Sequence, residues 1–544
     1  LANSGYEVEI FEKQNFIGGR NSRLQLGEYK FDLGPTFFLM KHILEDIFEL
    51  TGRKLENYVE LQRIEPMYRL CFENNQEFYP YSHLSKEKMY EQIQLTFPNE
   101  VENYNKYIEK EEKKYTKIIG CLKIPYTNFL SYLKPQFLKS IPYLDAHVSL
   151  YDVLSRYFED EKLKLSFTFQ AKYIGMSPWE APGTFSIISY LEHAFGVYHV
   201  KGGLNQLSHA MEKSFLEDGG KLHLSKGVKR LMIEGKDVKG LELYTGEKLY
   251  YDKVIINADF AHGMKELIPE EKRKKYTDKK LYDKKYSCST FMLYLGVKKE
   301  YDISHHSIIF ADDYRKNVDD IVTNLTLSDD FSVYVQNASV IDKTLAPQGK
   351  SALYVLVPVP NNKSDIQWDM IKDSFKEKVL NVLESKGKYE NLKENIECCK
   401  IITPLDWENE YNVFLGATFN LGHNISQMLT MRPKNKMDIL NNLYLVGGGT
   451  HPGSGLPTIY ESGRITAELI KKEGISNVIL VGEEARLRED AKKYGVNLEG
   501  IEIINPKNYS KFDNYVAEFV KLREKKGMTE QVARQIMSTE PRFF

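Results

Sequence analysis

Two stretches about 430 residues apart each spell part of one kind of unit, and together they constrain the fold more than any other feature of the chain. At the start, LANSGYEVEIFEK reads as the end of a helix, a Gly5 cap, and a strand from Val8 to Phe11 with Glu12 at its tip. That is the second half of a βαβ unit. Much later, NNLYLVGGGTHPGSGLPTIYESGRITAELI runs strand, glycine-rich turn, helix. A chain that leaves an α/β sheet and returns to it builds that domain from discontinuous segments, with other domains inserted between them. The strand and glycine turn that open a βαβ unit do not precede Gly5, and no G-x-G-x-x-G occurs elsewhere, so the unit is expected to be truncated at its N-terminal side.

With 544 residues, two or three domains are expected. Lys+Arg 74 against Asp+Glu 76 leaves a formal net charge of -2, which gives no reason to propose nucleic acid as a partner. Cys71, Cys121, Cys288, Cys398 and Cys399 show neither C-x-x-C spacing nor a disulfide framework, which fits a reducing, cytoplasmic location. No apolar run reaches the roughly 18 to 20 residues a spanning helix needs. Ile118 to Leu144 is different in kind. Phe129, Leu130, Tyr132, Leu133, Phe137 and Leu138 are interrupted by Lys134 and Lys139, which reads either as a core-facing helix pair or as a segment lying on a membrane surface.

The texture of the sequence divides the chain. Residues 1–84 open the first domain; 85–200 form a polar, then amphipathic, helical insertion expected to act as a lid; 201–275 return with a helix and short strands in meander spacing. Residues 276–430 are β-rich, with CSTFMLYLGV and SALYVLVPV suited to a sheet wall and a helix near Asp369 to Ser385. Residues 431–474 rejoin the first domain. From 475 to 544 a new α/β alternation begins (NVILVG, ARLREDAKKYG, IEIINP, then a charged helix near 509–526), appended and not interleaved.

Three short signals carry chemistry. Glu12 at a strand tip can accept both hydroxyls of an adenosine ribose, although such a residue is more often simply solvated. Gly18-Gly19-Arg20 lets backbone approach a phosphate or ring while Arg20 meets pyrophosphate; alone, it is a plain turn. FDLGPTFF places Gly34, Pro35 and Thr36 in a rigid turn after a strand. Their order and spacing, E-K-x(4)-G-G-R-x(11)-D-x-G-P, followed by GGGTHPGSGLP at Gly447 to Pro457, resemble the phytoene and carotenoid desaturases of the flavin-dependent amine oxidase superfamily. KGGLNQL, INAD, TPLDWENEYN and RPKN agree with that resemblance, which covers about residues 1 to 474.

The resemblance implies an α/β fold with a Rossmann-like FAD-binding domain, a β-sheet substrate domain and a helical, membrane-facing lid. The implied FAD contacts are Glu12, Lys13, Gly18, Gly19, Arg20, Gly34, Pro35, Thr36, Val228, Gly447, Gly448, Thr450, Gly455, Leu456 and Pro457. It also implies dehydrogenation of a lipophilic polyisoprenoid, a peripheral membrane position, and reoxidation by a quinone or oxygen. A flavin-dependent carotene cis-trans isomerase and a non-enzymatic isoprenoid chaperone are the alternatives. His451 is expected to hold its turn by hydrogen bonding, no catalytic base is identified, and His193, His199, His305 and His306 show no metal-ligand pairing. Residues 475–544 resemble an N-terminal fragment of phosphate acetyltransferases and butyryltransferases, without that family's acyl-CoA site.

Overall fold

The computed structural model describes residues 1–474, 479–494, 498, 501–523 and 527–539. The chain divides into two compact units, 1–467 and 468–544.

The largest element of the first unit is a seven-stranded sheet in the order Ile396–Ile402, Ser289–Val297, Ser351–Val359, Val333–Gln336, His306–Ile309, Arg69–Cys71, Glu77–Phe78. Only His306–Ile309 and Arg69–Cys71 run parallel. CSTFMLYLGV and SALYVLVPV pair antiparallel, Ser289 opposite Val359 through Val297 opposite Ser351. Every residue of Ser289–Val297 is buried, which explains why the strand reads as one apolar run and not as an alternation. Period 2 still sorts its side chains. Phe291, Leu293, Leu295 and Val297 pack with Trp368, Phe375, Val379 and Leu383 of the helix Trp368–Ser385, whereas Met292 and Tyr294 pack with Tyr29, Phe31 and Leu33. The sheet is therefore a wall between a covering helix and the N-terminal segment.

The first domain is assembled as the sequence implies. Glu9–Phe11 pairs parallel with Lys221–His223, and Val254–Ile256 pairs parallel with Leu443–Leu445, the strand of the late returning segment. The far edge of Leu443–Leu445 is occupied by the 435–437 segment through Leu445 N–H to Asn435 O and Met437 N–H to Leu443 O. Among the described residues, Glu9–Phe11 and Val254–Ile256 each keep one edge without a strand, and their central Ile10 and Ile255 are 44% and 37% exposed. Val228–Glu234, Asp237–Leu243 and Lys248–Tyr250 form the antiparallel meander.

Residues 85–200 are helical. On Val101–Leu122, Tyr104, Tyr107, Glu111, Lys114, Ile118 and Cys121 are buried, a stripe at three- and four-residue spacing. The following stretch is not a core-facing helix pair, which corrects that reading. Pro125, Pro135 and Pro142 lack the N–H a continuous helix needs, and the chain forms a short α-helix at Pro135–Ser140 between 3-10 segments at Phe129–Leu133 and Ile141–Tyr143. Phe129, Leu130, Leu133, Leu138 and Ile141 are all exposed. No helix among the described residues is long and apolar enough to cross a membrane.

In the second unit, Ile479–Val481 pairs parallel with Glu502–Ile504, and Val516, Ala533 and Met537 form a small core. The charged helix expected near 509–526 is Phe512–Arg523, and 524–526 lie outside the described residues, as do 477–478 of the expected NVILVG strand.

Because Leu295 is fully buried between two strands and the covering helix, Leu295→Ala is expected to cost about 3 kcal/mol. Chemical denaturation of the full chain, read by fluorescence, checks this.

Candidate active site

The predicted site residues fall into groups linked by short contacts. At the open end of the N-terminal strand, Glu12 donates its N–H to His223 O and accepts the Lys226 N–H, 3.0 and 2.8 Å. Its Oε1 accepts the Gln14 N–H at 2.9 Å, which fixes the carboxylate at the strand tip. Lys13 lies beside Gly227, one residue before Val228, so Glu12, Lys13 and Val228 share one corner.

Gly18 and Gly19 take positive φ, 102° and 53°, at the head of the turn Gly19–Asn21. A side chain on Gly18 would run into Asn21 O at 2.8 Å, and both glycines are exposed. Arg20 donates from Nη1 to Thr418 O at 2.7 Å. From there the contacts lead to the late glycine turn: Asn420 Nδ2 donates to Asp259 Oδ2 at 2.5 Å, and Gly449 lies flat against Asn420 and Phe260, where any Cβ would collide. Val446 N–H reaches Ile256 O, and Asn257 Oδ1 lies 3.4 Å from where a Gly447 Cβ would be. Burial pushes the Asp259 carboxyl up, with the Arg20 charge pulling it back.

The Gly34-Pro35-Thr36 turn is held from the sheet wall. Tyr294 and Tyr354 donate their hydroxyls to Leu33 O and Gly34 O at 2.5 and 2.8 Å; Gln336 Nε2 donates to Thr36 O at 3.0 Å; Thr36 Oγ1 and the Tyr334 hydroxyl lie 2.6 Å apart. A Gly34 side chain would strike Arg20 O, so this turn and the Gly18–Arg20 turn touch. Asp32 Oδ1 accepts the Leu204 N–H at 2.6 Å, and Gly203 at φ 97° leaves it room, which accounts for the KGGL signature.

Arg432 organises the late turn. Its guanidinium is buried and faces carbonyls alone: Gly448 O at 2.6 Å, Thr450 O at 3.1 Å, Gly422 O at 3.2 Å, and Leu421 and Gln427 O at 3.4 Å. Burial brings its pKa down to about 9, still cationic at neutral pH. Asn435 Nδ2 donates to His451 O at 3.1 Å and to Ser462 Oγ at 3.0 Å, tying the turn to the helix Leu456–Gly474. Thr450 and Gly455 thus lie on the turn, and Leu456 and Pro457 open the long helix that follows it. His451 does not hold this loop through its ring, which corrects the expectation. The ring stands edge-on to Tyr126 at 5.0 Å, and burial and then the Arg432 charge lower its pKa to about 4. The bonding role falls to His423, whose Nε2 accepts the Ser454 N–H at 3.0 Å.

Arg432, Asn435, Asp259, Asn420, His423 and the three sheet tyrosines were not predicted as site residues. RPKN and INAD carried the signal for three of them; the tyrosines sit in strands that read as plain core. The set fits a flavin. Its surfaces are exposed glycine backbone, one cation at Arg20, one carboxylate at Glu12 and a helix N-terminal end, which suit phosphate, ribose and a flat ring.

Replacing Arg432 by Met strands five carbonyls in the interior, and a loss of at least about 3 kcal/mol is expected, together with loss of bound flavin. Denaturant titration and the protein's visible spectrum report both.

Comparison with known proteins agrees with this geometry. Residues 1–471 match the family model of flavin containing amine oxidoreductases, and residues 463–544 match that of phosphate acetyl/butaryl transferases. A 4,4'-diapophytoene desaturase (4,4'-diapolycopene-forming) of Methylomonas sp is 47% identical over 473 residues, covering 87% of this chain and 92% of that protein. A phytoene desaturase (lycopene-forming) of Pantoea ananas is 30% identical, covering 87% and 96%. Among solved structures, an oxidoreductase from Methanosarcina mazei superposes with a TM-score of 0.53 at 16% identity, covering 86% of this chain and 95% of its own, and a redesigned putrescine oxidase with 0.54 at 12%, covering 87% and 95%. The chain, over residues 1–471, belongs to the flavin containing amine oxidoreductase family.

Proposed function

We propose that this protein is an FAD-dependent desaturase of a long acyclic polyisoprenoid, of the phytoene or diapophytoene type. One observation carries the reading. The glycine turn suited to a flavin is also the floor on which the exposed apolar segment rests: Tyr126 stands against His451 of that turn, and the Tyr132 hydroxyl meets Thr430 Oγ1 at 2.7 Å, two residues before Arg432. A hydrocarbon leaving a bilayer past Phe129, Leu130 and Leu133 would arrive beside the cofactor.

FAD would be held by Glu12, Lys13 and Val228 at its adenosine end, by Gly18, Gly19 and Arg20 at its phosphates, and by Gly34–Thr36 and Gly447–Pro457 along its ring. It supplies acceptance of a hydride. The protein's own work is orientation and exclusion of water. A substrate with no polar handle is held by burial, at about 25 cal/mol per Å². The aromatic cluster of Tyr68, Phe72, Phe169, Phe310 and Tyr314, with Phe37 and Tyr334 packed against it, suits such a chain. A quinone or oxygen would take the electrons onward, and the protein would sit on the membrane surface.

Expression in a host that accumulates acyclic C30 or C40 precursors, with the chain preceded by a βα segment, is expected to yield polyenes lighter by two hydrogens per step. It is also expected to yield a protein with flavin absorbance near about 450 nm. Unchanged precursor and colourless protein would sink the reading. Separately, Phe129→Ser, Leu130→Ser and Leu133→Ser together are expected to lower partition into phospholipid vesicles at least ten-fold, since each exposed side chain contributes about 2 kcal/mol on burial. Cosedimentation measures it.

A further inference from the structure

Desaturation removes two hydrogens from neighbouring carbons. One would leave as hydride, which a bound flavin would accept; the other leaves as a proton, and its electron pair becomes the new double bond. A substrate held by burial among hydrocarbon and aromatic side chains would be screened from bulk water. The proton needs a hydrogen-bonded route out.

The interior holds one series of groups suited to this. Thr36 Oγ1 and the Tyr334 hydroxyl are 2.6 Å apart, the Tyr334 hydroxyl and His306 Nδ1 2.7 Å, and His306 Nε2 and His305 Nδ1 2.9 Å. On the far side, His199 Nε2 lies 2.9 Å from Asp342 Oδ2. Between the two halves, His305 Nε2 and His199 Nδ1 are both buried and without a hydrogen-bond partner among the described residues, and their rings stand 5.1 Å apart at 60°. Sequence alone left these histidines unconnected. The fold joins them because His306 opens the strand His306–Ile309 and Tyr334 lies opposite Ile308 in the adjacent strand, while His199 comes from the short strand Val197–Val200.

The polarity is the same throughout. Burial opposes ionisation of Asp342, but the bonds from His199, Thr344 and the Gly202 N–H hold its carboxyl well below the usual range, so it is a carboxylate. A carboxylate only accepts, which fixes the proton of His199 on Nε2 and leaves Nδ1 as an acceptor. With His306 and His305 also protonated on Nε2, each bonded donor faces the next acceptor, and across the unbonded link His305 Nε2 would carry the N–H and His199 Nδ1 the lone pair.

We propose that Tyr334, His306, His305, His199 and Asp342 form a relay that carries the substrate's proton from the Thr36–Tyr334 hydroxyl pair to the surface at the Lys201–Gly202 turn. Each step breaks one O–H or N–H bond as the next forms, so the net change is one proton moved outward. Burial lowers His306 to about 3 and holds His305 far below its ordinary value, so neither retains the proton. Asp342 stabilises protonated His199, and exposed Lys201 adjoins Gly202. Tyr334 is the catalytic residue of the series, and the histidines act through it.

The proposal rests on the desaturase reading, and the test separates the two. In flavin-loaded protein reconstituted in vesicles with an acyclic polyene, Tyr334→Phe and His305→Leu are expected to lower kcat ten- to a hundred-fold. KM and flavin content should stay unchanged, and the solvent deuterium isotope effect should rise because proton exit becomes limiting. Imidazole should restore turnover to His305→Gly. Independently of turnover, 15N-histidine spectra should show His199, His305 and His306 as Nε2–H tautomers. Tyr334→Phe turning over at the wild-type rate overturns the relay, as does an Nδ1–H tautomer at any of the three. A fall in rate with lost flavin or lowered Tm and an unchanged isotope effect also overturns it. A wild-type protein that desaturates nothing removes the functional reading instead.

Discussion

The first unit depends on one buried cation. Among the described residues Arg432 has no carboxylate to pair with; its five donors are spent on main-chain carbonyls from Leu421, Gly422, Gln427, Gly448 and Thr450. Charge-assisted bonds of this kind are about twice as strong as neutral ones, and in a dry site the carbonyls have no alternative donor. The guanidinium therefore does two things at once. It welds the 421–427 loop to the 448–450 turn, and it sets a positive charge against the backbone of the late glycine turn. Burial, and then the same charge, keeps His423 and His451 neutral, which leaves His423 free to accept the Ser454 N–H.

A second constraint comes from the sheet wall. Tyr294, Tyr334 and Tyr354 would be ordinary core residues but for their hydroxyls, and each of those faces the Leu33–Thr36 turn across 261 to 320 residues of sequence. A buried phenol needs a partner, and a tight turn exposes carbonyls that need donors. The wall and the turn satisfy each other. This couples the surface that would face a hydrocarbon to the loop that would face a cofactor.

These two features also explain what the sequence could and could not reveal. The discontinuous α/β domain was legible because strands, glycine turns and a long amphipathic helix leave periodic signals, whereas the pairing of Leu443–Leu445 with Val254–Ile256 came from the fold alone. GGGTHPGSGLP was legible because close backbone approach leaves only glycine as an option at Gly449. Arg432, the tyrosine hydroxyls and the histidine series were not, because their roles arise from partners brought by the fold. Ser289–Val297 advertises a buried strand, but nothing local says that His306 will meet Tyr334. The 118–144 stretch left two readings open in sequence, and the core-facing helix pair among them fails for a local reason: three prolines interrupt the helical hydrogen bonding and the apolar side chains stay exposed.

The central claim is that segments from both ends of the first unit close around one flavin. Amide hydrogen exchange of the flavin-loaded protein against the flavin-stripped protein tests it most directly. The account predicts that protection appears together in Gly18–Asn21, Leu33–Thr36 and Gly447–Leu456. Protection confined to one of these segments, with the others exchanging as before, would contradict it.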